Sequence, residues 1–213
     1  MSLTNKETPL VSIVIPCYNH AQFVQETIQS VIDQDYDNIE LIIIDDGSKD
    51  NSVEVIQEMI PACEERFKRF EFRYRPNKGL CATLNEALEW CEGEYFAPLA
   101  SDDMIDSNKT KIQVKYLIEN LQCAAVFSGA KVLNSKGEVV VERPAKYRVY
   151  FFKDIILNMY SLFTPSQLIR LDLVREVNGF NPDVMLEDWY IYLKLSEVGY
   201  TLDSIEGVVV SYR

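Results

Sequence analysis

Three pairs of adjacent acidic residues have the clearest capacity for chemistry in this sequence. They are Asp45–Asp46, Asp102–Asp103 and Glu187–Asp188. Carboxylates can accept hydrogen bonds from a ligand, bind a hard divalent cation, or deprotonate a hydroxyl group as a general base. Each pair also has a purely structural interpretation, because aspartate favours tight turns and carboxylates favour helix N-termini. The position of each pair in the fold must distinguish these interpretations.

The neighbours of each pair suggest which chemistry to test. Gly47 lets the chain turn after Asp45–Asp46, so these carboxylates either close the turn or face a ligand. Asp102–Asp103 would repel each other unless a cation or hydrogen-bond donors compensate, which suggests a divalent metal, with capping of the next helix as the alternative. Glu187–Asp188 precedes an amphipathic helix and either caps it or supplies a general base.

The first half of the chain alternates strand and helix patterns. Continuous apolar runs predict buried strands at Leu10–Ile15, Ile39–Ile44 and Tyr95–Leu99, and alternation predicts a half-exposed strand at Phe70–Tyr74. Apolar residues at helical spacing predict the intervening helices, at Phe23–Ile32, Val53–Cys63, Leu80–Cys91 and Asn108–Asn120. This order predicts right-handed crossovers and an α/β fold whose sheet is mostly parallel, with helices on both faces.

Ligands in such folds bind at the carboxyl ends of the strands. That rule selects the segments after Ile15, Ile44 and Leu99, and two of the acidic pairs lie in these segments. We therefore expect Asp45–Asp46 and Asp102–Asp103 to lie at one edge of the sheet.

The second half is less regular and predicts a smaller antiparallel region. Its predicted strands are Ala124–Gly129, Lys131–Leu133, Val139–Val141, Gln167–Leu171 and a run over Leu202–Tyr212. Its predicted helices are Phe151–Tyr160, Asp172–Val177 and Glu187–Val198, with a basic, aromatic loop at Pro144–Tyr150. The apolar stretch Phe151–Phe163 packs in the core, covers an acceptor site or faces a membrane.

Length and charge exclude several classes of protein. The 213 residues suit one domain, 1–213, and 47% hydrophobic with 25% charged residues excludes a disordered or low-complexity chain. With 21 basic against 33 acidic residues, the net charge of -12 argues against nucleic-acid binding. The polar start Met1–Thr8 has no signal-peptide core, and no apolar run is long enough for a membrane helix.

The cysteines and the single histidine also limit the chemistry. Five cysteines without a C-x-x-C pair, with His20 as the one histidine, argue against a zinc site and favour reduced thiols in the cytoplasm. His20 lies in a loop, where it is either solvated or in contact with a ligand. Met1–Leu3 looks like a cloning remnant, and Arg213 directly follows an apolar run, so we expect a domain cut from a longer chain.

The segments around the acidic pairs resemble the family-2 glycosyltransferases of the GT-A fold in order and spacing. The resemblance runs from about Leu10 to Gly199, and its opening block is highly specific. The segments that carry it are Val11–Asn19, Ser30–Gln34, Glu40–Ser48, Asn77–Gly79, Gly93–Tyr95, Ser101–Asp103, Asn178–Phe180 and Glu187–Trp189.

This resemblance implies a Rossmann-like GT-A fold, with a nucleotide-sugar-binding half at about 10–105 and an acceptor and catalytic half at about 106–213. It implies transfer of a hexosyl or N-acetylhexosaminyl group from a nucleotide-diphosphate sugar, a UDP-sugar first of all, to an acceptor hydroxyl with inversion. The acceptor would be a sugar, a lipid-linked molecule or a glycan, in cell-surface polysaccharide or glycan biosynthesis. A cytoplasmic enzyme of this kind could associate peripherally with the inner face of the membrane.

Residue by residue, the resemblance also implies the donor site. Pro16 and Tyr18 would lie against the nucleobase and ribose, and Asp46 would accept from the uracil N–H with Asp45 beside it. The other donor-binding residues would be Asn19, Lys78, Gly79 and Ser101.

The same comparison implies the metal and the base. Asp102 matches the last aspartate of the family's D-x-D motif and would bind Mg²⁺ or Mn²⁺ at the diphosphate, with Asp103 beside it. Asp188 matches the catalytic base, with Glu187 next to it. Ala100 stands where the motif has its first aspartate, which would weaken the hold on the metal or ribose. The sequence has no Q-x-x-R-W segment, so single addition is favoured over processive synthesis.

Two other functions remain open at this stage. Ala100 motivates a nucleotide-sugar-binding or scaffold domain of the same fold with little or no activity. The acidic end of the second strand could also belong to a phosphoacceptor receiver domain, but such a domain is complete in about 120 residues. The resemblance continues to Asp188, which argues against the receiver.

Overall fold

The computed structural model describes residues 8–213, so the expectation about Met1–Leu3 lies outside the described residues. The strands are β1 (Val11–Cys17), β2 (Ile39–Asp45), β3 (Arg69–Tyr74), β4 (Tyr95–Pro98), β5 (Met104–Ile105), β6 (Cys123–Leu133), β7 (Val139–Arg143), β8 (Arg148–Tyr150), β9 (Leu168–Arg170) and β10 (Thr201–Tyr212). The helices are α1 (Val24–Ile32), α2 (Ser52–Arg66), α3 (Leu80–Trp90), α4 (Lys109–Glu119), α5 (Phe152–Ile156), α6 (Leu171–Glu176) and α7 (Glu187–Glu197), with a 3-10 turn at Thr164–Ser166.

All ten strands belong to one sheet, whose main order is β3-β2-β1-β4-β9-β6-β10-β5. The four strands at one end, β3, β2, β1 and β4, are parallel, and β10 is parallel to β6. β9 lies between β4 and β6 and runs antiparallel to both, while β7, β8 and β5 add antiparallel pairs. Most paired residues lie in parallel pairs, so the predicted α/β fold with an antiparallel region is confirmed.

Alternate residues of β1 enter two hydrophobic cores, one on each face of the sheet. Ile13 and Ile15 pack in the core that contains residues of α1, α2 and α4. Val14 packs in the other core, with residues of α3, α6 and α7. Because β1 is covered on both faces, its sequence is a continuous apolar run rather than an alternating one.

The second half differs from its prediction at several boundaries. The strands predicted at Ala124–Gly129 and Lys131–Leu133 are one strand, β6. Glycine is required inside this strand because a Cβ at Gly129 would lie 2.3 Å from the Arg143 carbonyl oxygen. The predicted loop 144–150 contains β8, and the helix predicted over 151–160 is limited to α5. Within residues 8–213, no helix has both the length and the apolar character needed to cross a bilayer.

Candidate active site

The carboxyl ends of the parallel strands lie side by side. Cys17 of β1 pairs with Asp45 of β2, and Asp45 pairs with Tyr74 of β3. β4 runs parallel to β1 on its other side. The loops that begin with Asp46 and with Leu99 therefore leave the sheet at the same edge, as the order of elements predicts.

Asp45 closes the turn that follows β2. Its Oδ1 accepts from the backbone N–H groups of Gly47 at 3.1 Å and Ser48 at 2.9 Å, and its Oδ2 accepts from the Ser48 hydroxyl at 2.6 Å. The side chain is buried. The role of Asp45 in closing the turn accounts for these contacts. A position of Asp45 beside a nucleotide-sugar donor stays a prediction.

Asp46 organises the neighbouring loop after β3. Its Oδ1 forms an ion pair with Arg75 and accepts from the Lys78 N–H at 2.8 Å, and its Oδ2 accepts from the Gly79 N–H at 2.9 Å. Both side chains of the ion pair are largely buried. Asp46 therefore shapes the loop that precedes α3. The predicted hydrogen bond from a nucleobase N–H to Asp46 would form in addition to these contacts.

Asn19 joins the loops that follow β1 and β2. Its N–H donates to the Ser48 hydroxyl at 2.8 Å, and its side-chain oxygen accepts from the Lys49 N–H at 2.7 Å. Asn19 adopts a left-handed backbone conformation with a φ of 57°, which asparagine tolerates better than most residues. Its observed role is to hold these two loops together.

His20 contacts the segment that carries the predicted metal ligand. Its Nδ1 lies 2.8 Å from the Ser101 hydroxyl and 3.8 Å from Asp102 Oδ1. The Asp102 side chain is about a quarter exposed, at 26%. His20 thus contacts residues of the candidate site rather than projecting freely into solvent.

Asp103, the next residue after Asp102, is buried. Its Oδ1 accepts from the backbone N–H of Arg213 at 3.1 Å, whereas its Oδ2 accepts no hydrogen bond from the described residues. Burial, followed by the charge of Asp102, raises the pKa of Asp103 to about 7 despite the opposing contact with Arg213. An unpaired buried carboxylate oxygen next to a partly exposed aspartate fits a hard divalent cation.

Glu187 and Asp188 form the first turn of α7. Asp188 Oδ2 accepts from the Thr164 hydroxyl at 2.8 Å, and its Oδ1 accepts from the Trp189 N–H at 2.7 Å. Burial, and then the charge of Asp188, raise the pKa of Glu187. Both carboxylate oxygens of Asp188 thus accept hydrogen bonds at the start of α7, and its role as a base stays a prediction.

Two adjoining cavities bring the predicted residues together. A cavity of about 430 Å³ is lined by five of the predicted donor residues, Pro16, Tyr18, Asp46, Gly79 and Ser101. A second cavity of about 510 Å³ is lined by the predicted acidic residues Asp103, Glu187 and Asp188. Pro16, Leu80 and Ala100 line both.

Four predicted residues do not line these cavities: Asn19, Asp45, Lys78 and Asp102. The Lys78 side chain is mostly exposed, with its Nζ 3.8 Å from Glu86, and its backbone N–H contacts Asp46. Asp102 follows Ser101 at the wall of the smaller cavity.

Sequence reasoning missed several residues that the structure brings to the site. Arg75 pairs with Asp46, Thr164 holds Asp188, and Arg143 of β7 lines the larger cavity. Asn85 of α3 exchanges two hydrogen bonds with the backbone of Phe180, at 2.7 Å and 2.9 Å, and so fixes the loop that leads to α7. The motif Asn178–Phe180 gave a signal for this loop but none for its partner on α3.

Among residues 8–213, no group of three or more His, Cys, Asp or Glu side chains could hold a metal ion by itself.

The sequence profile described as "Glycosyl transferase family 2" matches residues 12–171. The chain belongs to this family. As a family-2 glycosyltransferase it has the fold that the sequence resemblance implied.

Relatives with described activities include polysaccharide synthases. The glycosyltransferase is 29% identical over 202 residues to a chondroitin synthase of Escherichia coli, which covers 93% of this chain and 28% of that protein. It is 34% identical over 130 residues to the putative teichuronic acid biosynthesis glycosyltransferase TuaG of Bacillus subtilis, over 61% of this chain and 50% of that protein. The matched region thus spans half or less of these relatives.

Solved structures confirm the fold. The glycosyltransferase superposes on S. aureus TarS 1-349 in complex with UDP-GlcNAc with a TM-score of 0.75 and 20% identity, over 95% of this chain and 58% of that chain. It superposes on the mannosyltransferase PcManGT from Pyrobaculum calidifontis in complex with GDP-Man and Mn²⁺ with a TM-score of 0.73 and 19% identity, over 96% of this chain and 57% of that chain. At these identities the likeness establishes the GT-A fold.

Proposed function

We propose that this family-2 glycosyltransferase transfers a hexosyl or N-acetylhexosaminyl group from a UDP-sugar to an acceptor hydroxyl, with inversion and with the help of Mg²⁺ or Mn²⁺. The observation that carries the proposal is the pair of adjoining cavities, one lined by donor-side residues and the other by Asp103, Glu187 and Asp188. A base must lie on the opposite side of the sugar from the leaving group for inversion, and two connected cavities provide for that arrangement.

The smaller cavity is the proposed donor site. Pro16 and Tyr18 would contact the nucleobase and ribose, and Asp46 would accept from the base N–H while it holds the loop of Lys78 and Gly79. Asn19, Asp45 and Ser101 would support this site from the adjoining loops. The UDP-GlcNAc and GDP-Man bound by the two structural neighbours support a nucleotide-sugar donor.

Asp102 is the proposed principal metal ligand, with Asp103 as a second carboxylate. The unpaired Oδ2 of Asp103 supports this assignment. A divalent cation bound there would stabilise the charge on the departing diphosphate. Since Ala100 removes one motif carboxylate, diphosphate oxygens would have to complete the coordination.

Asp188 is the proposed general base. The Thr164 hydroxyl holds Oδ2, so the carboxylate has a fixed orientation toward the larger cavity. Asp188 would accept the proton of the acceptor hydroxyl as the oxygen attacks the anomeric carbon. Glu187 lines the same cavity and would orient the acceptor.

The acceptor is proposed to be a sugar, a glycan or a lipid-linked molecule in cell-surface polysaccharide biosynthesis. The chondroitin synthase and TuaG relatives support this pathway class. The reaction is proposed to take place in the cytoplasm, at the inner face of the membrane, and the cytoplasm is a compartment where free thiols such as these five persist.

Donor binding can be tested by thermal stabilisation with a panel of UDP- and GDP-sugars, with and without Mn²⁺. We expect a UDP-sugar to raise the melting temperature, more so with Mn²⁺, because a ligand that binds only the folded state stabilises it. If no nucleotide sugar changes the melting temperature, the donor assignment is wrong.

Catalysis can be tested with Asp188→Asn. We expect transfer to fall by about 10²-fold to 10⁴-fold while UDP still stabilises the protein, because the general base is lost and the donor site is intact. Asp183→Asn, an exposed aspartate in the preceding loop, is the matched control and should keep full activity.

Ala100 also supports a second candidate, a nucleotide-sugar-binding domain without turnover. The Asp188→Asn experiment separates the two candidates. If the wild-type protein and Asp188→Asn bind UDP equally and neither transfers sugar to any of a broad panel of acceptors, the binding domain is the better description.

A further inference from the structure

Gln167 is buried, yet one end of its side-chain amide faces the larger cavity. The residue is 6% exposed and directly follows the 3-10 turn. Its Oε1 accepts from the Tyr192 hydroxyl at 3.1 Å, whereas its Nε2 donates to no other residue in the range 8–213. Nε2 is not one of the fully enclosed polar atoms of these residues, so it borders open space, and the cavity that Gln167 lines is the larger one. Its two N–H groups are therefore free to donate to an oxygen in that cavity.

The backbone that carries Gln167 is fixed from behind by buried polar side chains. Lys109 Nζ donates to the Gln167 carbonyl oxygen at 3.1 Å, and Gln113 Nε2 donates to the Ser166 carbonyl oxygen at 2.6 Å. The Ser166 hydroxyl donates to the Ser128 carbonyl oxygen and accepts from its N–H, both at 2.9 Å. The side chains of Lys109, Gln113 and Ser166 belong to residues that are at most 2% exposed. The free amide end is thus held in place before any ligand arrives, which lowers the entropic cost of binding.

Hydrogen bonds link the amide of Gln167 to the proposed base. The Tyr192 hydroxyl lies 3.1 Å from Gln167 Oε1 and 3.3 Å from the Thr164 hydroxyl oxygen. The Thr164 hydroxyl in turn donates to Asp188 Oδ2 at 2.8 Å. Tyr192 is completely buried, so one rigid hydroxyl serves both branches. Gln167 and Asp188 therefore face the same cavity from a common support.

The remaining wall of the larger cavity gives these two residues control over orientation. Most of its lining side chains are apolar, among them Leu162, Phe163 and Phe180. In a cavity of this kind a few placed polar groups fix the orientation of the ligand and decide its specificity. Gln167 does not line the smaller cavity, which is the proposed donor site. The oxygen that its amide meets is therefore assigned to the acceptor.

We propose that Gln167 is a specificity-determining residue that binds a second oxygen of the acceptor. The proposal rests on the proposed function of Asp188. The hydroxyl that receives the sugar would donate to Asp188, and another oxygen of the same acceptor unit would accept from Gln167 Nε2. The accepting unit must then be polyhydroxylated, as a pyranose is. An alcohol with a single hydroxyl would leave the amide without its partner, and a site built to bind a hydroxyl discriminates against a ligand that lacks it.

The test is the binding of methyl hexopyranosides and their monodeoxy derivatives to the full chain, with UDP and Mn²⁺ present, measured by NMR saturation transfer. We expect loss of one particular hydroxyl to weaken binding to the wild type by about threefold to tenfold, the contribution of one neutral hydrogen bond. In Gln167→Met the parent glycoside and that deoxy derivative should bind equally, because methionine fills similar space without a donor. Gln57→Met, an exposed glutamine on α2, is the matched control and should keep the wild-type difference.

A second variant and a second probe keep the test independent of how well Gln167→Met folds. Tyr192→Phe leaves the amide in place but removes the hydroxyl that holds Oε1, so the difference between the parent and the deoxy derivative should shrink to about twofold. Cyclohexylmethanol, which has one hydroxyl, should bind the wild type and Gln167→Met equally weakly. The proposal is overturned if no hexopyranoside binds the wild type, or if the same hydroxyl contributes as much in Gln167→Met, which would assign that hydroxyl to another donor such as Arg143.

These measurements use UDP rather than a UDP-sugar, so no transfer takes place and binding is separate from catalysis. If hexopyranosides bind through Gln167 but no nucleotide sugar is consumed, the binding role of Gln167 stands and the proposed transferase function fails. If the protein transfers sugar with the same acceptor KM in the wild type and in Gln167→Met, the role of Gln167 fails and the function stands.

Discussion

The backbone N–H of Arg213 donates to Asp103 Oδ1 at 3.1 Å, and the Arg213 guanidinium donates to the Asp102 carbonyl oxygen at 2.8 Å. The same guanidinium pairs with Glu26 and lies over the Phe23 ring. Arg213 directly follows β10, so the long last strand and the start of α1 are both tied to the segment that carries the candidate metal ligands.

The first prediction follows from this contact. Arg213→Ala keeps the backbone N–H but removes the guanidinium from Asp102 and Glu26. We expect the half-saturating concentration of Mn²⁺ to rise about threefold to tenfold, which corresponds to about 0.7–1.4 kcal/mol, because only about half of the roughly 1.5–3 kcal/mol of a hydrogen bond from a charged group would act on the metal site. Turnover at saturating Mn²⁺ should change less than the metal requirement does. Arg148→Ala, assayed with a soluble acceptor, is the control, and an unchanged Mn²⁺ titration would contradict the positioning role.

Asp46→Asn tests the ion pair with Arg75. The variant keeps the shape of the side chain but removes its charge and turns an amide N–H₂ toward the donors of Lys78 and Gly79. Breaking a buried pair in this way costs about 3–5 kcal/mol, so the free energy of unfolding should fall by that amount in urea denaturation. Asp35→Asn removes an exposed pair with Lys111 and should cost about 1 kcal/mol or less. Equal effects in the two variants would mean that Asp46 has no special structural role.

Lys109 predicts a pH dependence of stability. Its side chain is buried, its Nζ donates to the Gln167 carbonyl oxygen at 3.1 Å, and burial lowers its pKa from 10.5 to about 7. The unfolded chain therefore binds one more proton than the folded chain between about pH 7 and 10.5, so this group makes the protein more stable as the pH rises through that window.

In Lys109→Met this contribution should disappear. In the wild type, Lys109 should raise the free energy of unfolding by about 1.4 kcal/mol per pH unit above pH 7, and the variant should lack this contribution. Urea denaturation of both proteins at several pH values measures the difference. Lys111, on the same helix, carries an exposed amine, so Lys111→Met is the control. A difference between the wild type and Lys109→Met that stays constant over this range would show that Lys109 titrates normally, whatever the other groups contribute.

The sequence predicts the parallel half of this fold well because local pattern and tertiary position agree there. β1 and β2 are covered on both faces, so both are mostly apolar, with Ser12, Glu40 and Asp45 as buried polar exceptions. The full length of β6 was harder to predict from the sequence, because a glycine such as Gly129 often ends a strand. Glycine is needed there for a tertiary reason, since the backbones of Arg143 and Gly207 approach too closely for a side chain.

Residue types and element order alone predicted only the acidic residues of the candidate site, and the family resemblance added Pro16, Tyr18, Gly79 and Ser101, which line the smaller cavity. The parallel strands bring Asp46 and Asp102 to the edge of the sheet where these strands end. The order of strands and helices along the sequence is enough to predict this. The partners of these residues are distant in sequence and have no local pattern: Arg75 is 29 positions from Asp46, and Arg213 is 110 positions from Asp103. Such pairs depend on sheet register and loop path, which side-chain periodicity does not encode.

Thr164 offers a test of how Asp188 is positioned. Its hydroxyl donates to Asp188 Oδ2 at 2.8 Å, and Tyr192 supports it from a distance of 3.3 Å between the two hydroxyl oxygens. Thr164→Val keeps the shape but frees the carboxylate to rotate, so we expect kcat to fall about tenfold while the KM for the donor stays within twofold, because small misplacements of a reacting group are costly. Thr164→Ser restores the hydroxyl and should recover most of kcat, which a purely packing role for Thr164 would not predict. A rise in donor KM without a fall in kcat would assign Thr164 to donor binding instead.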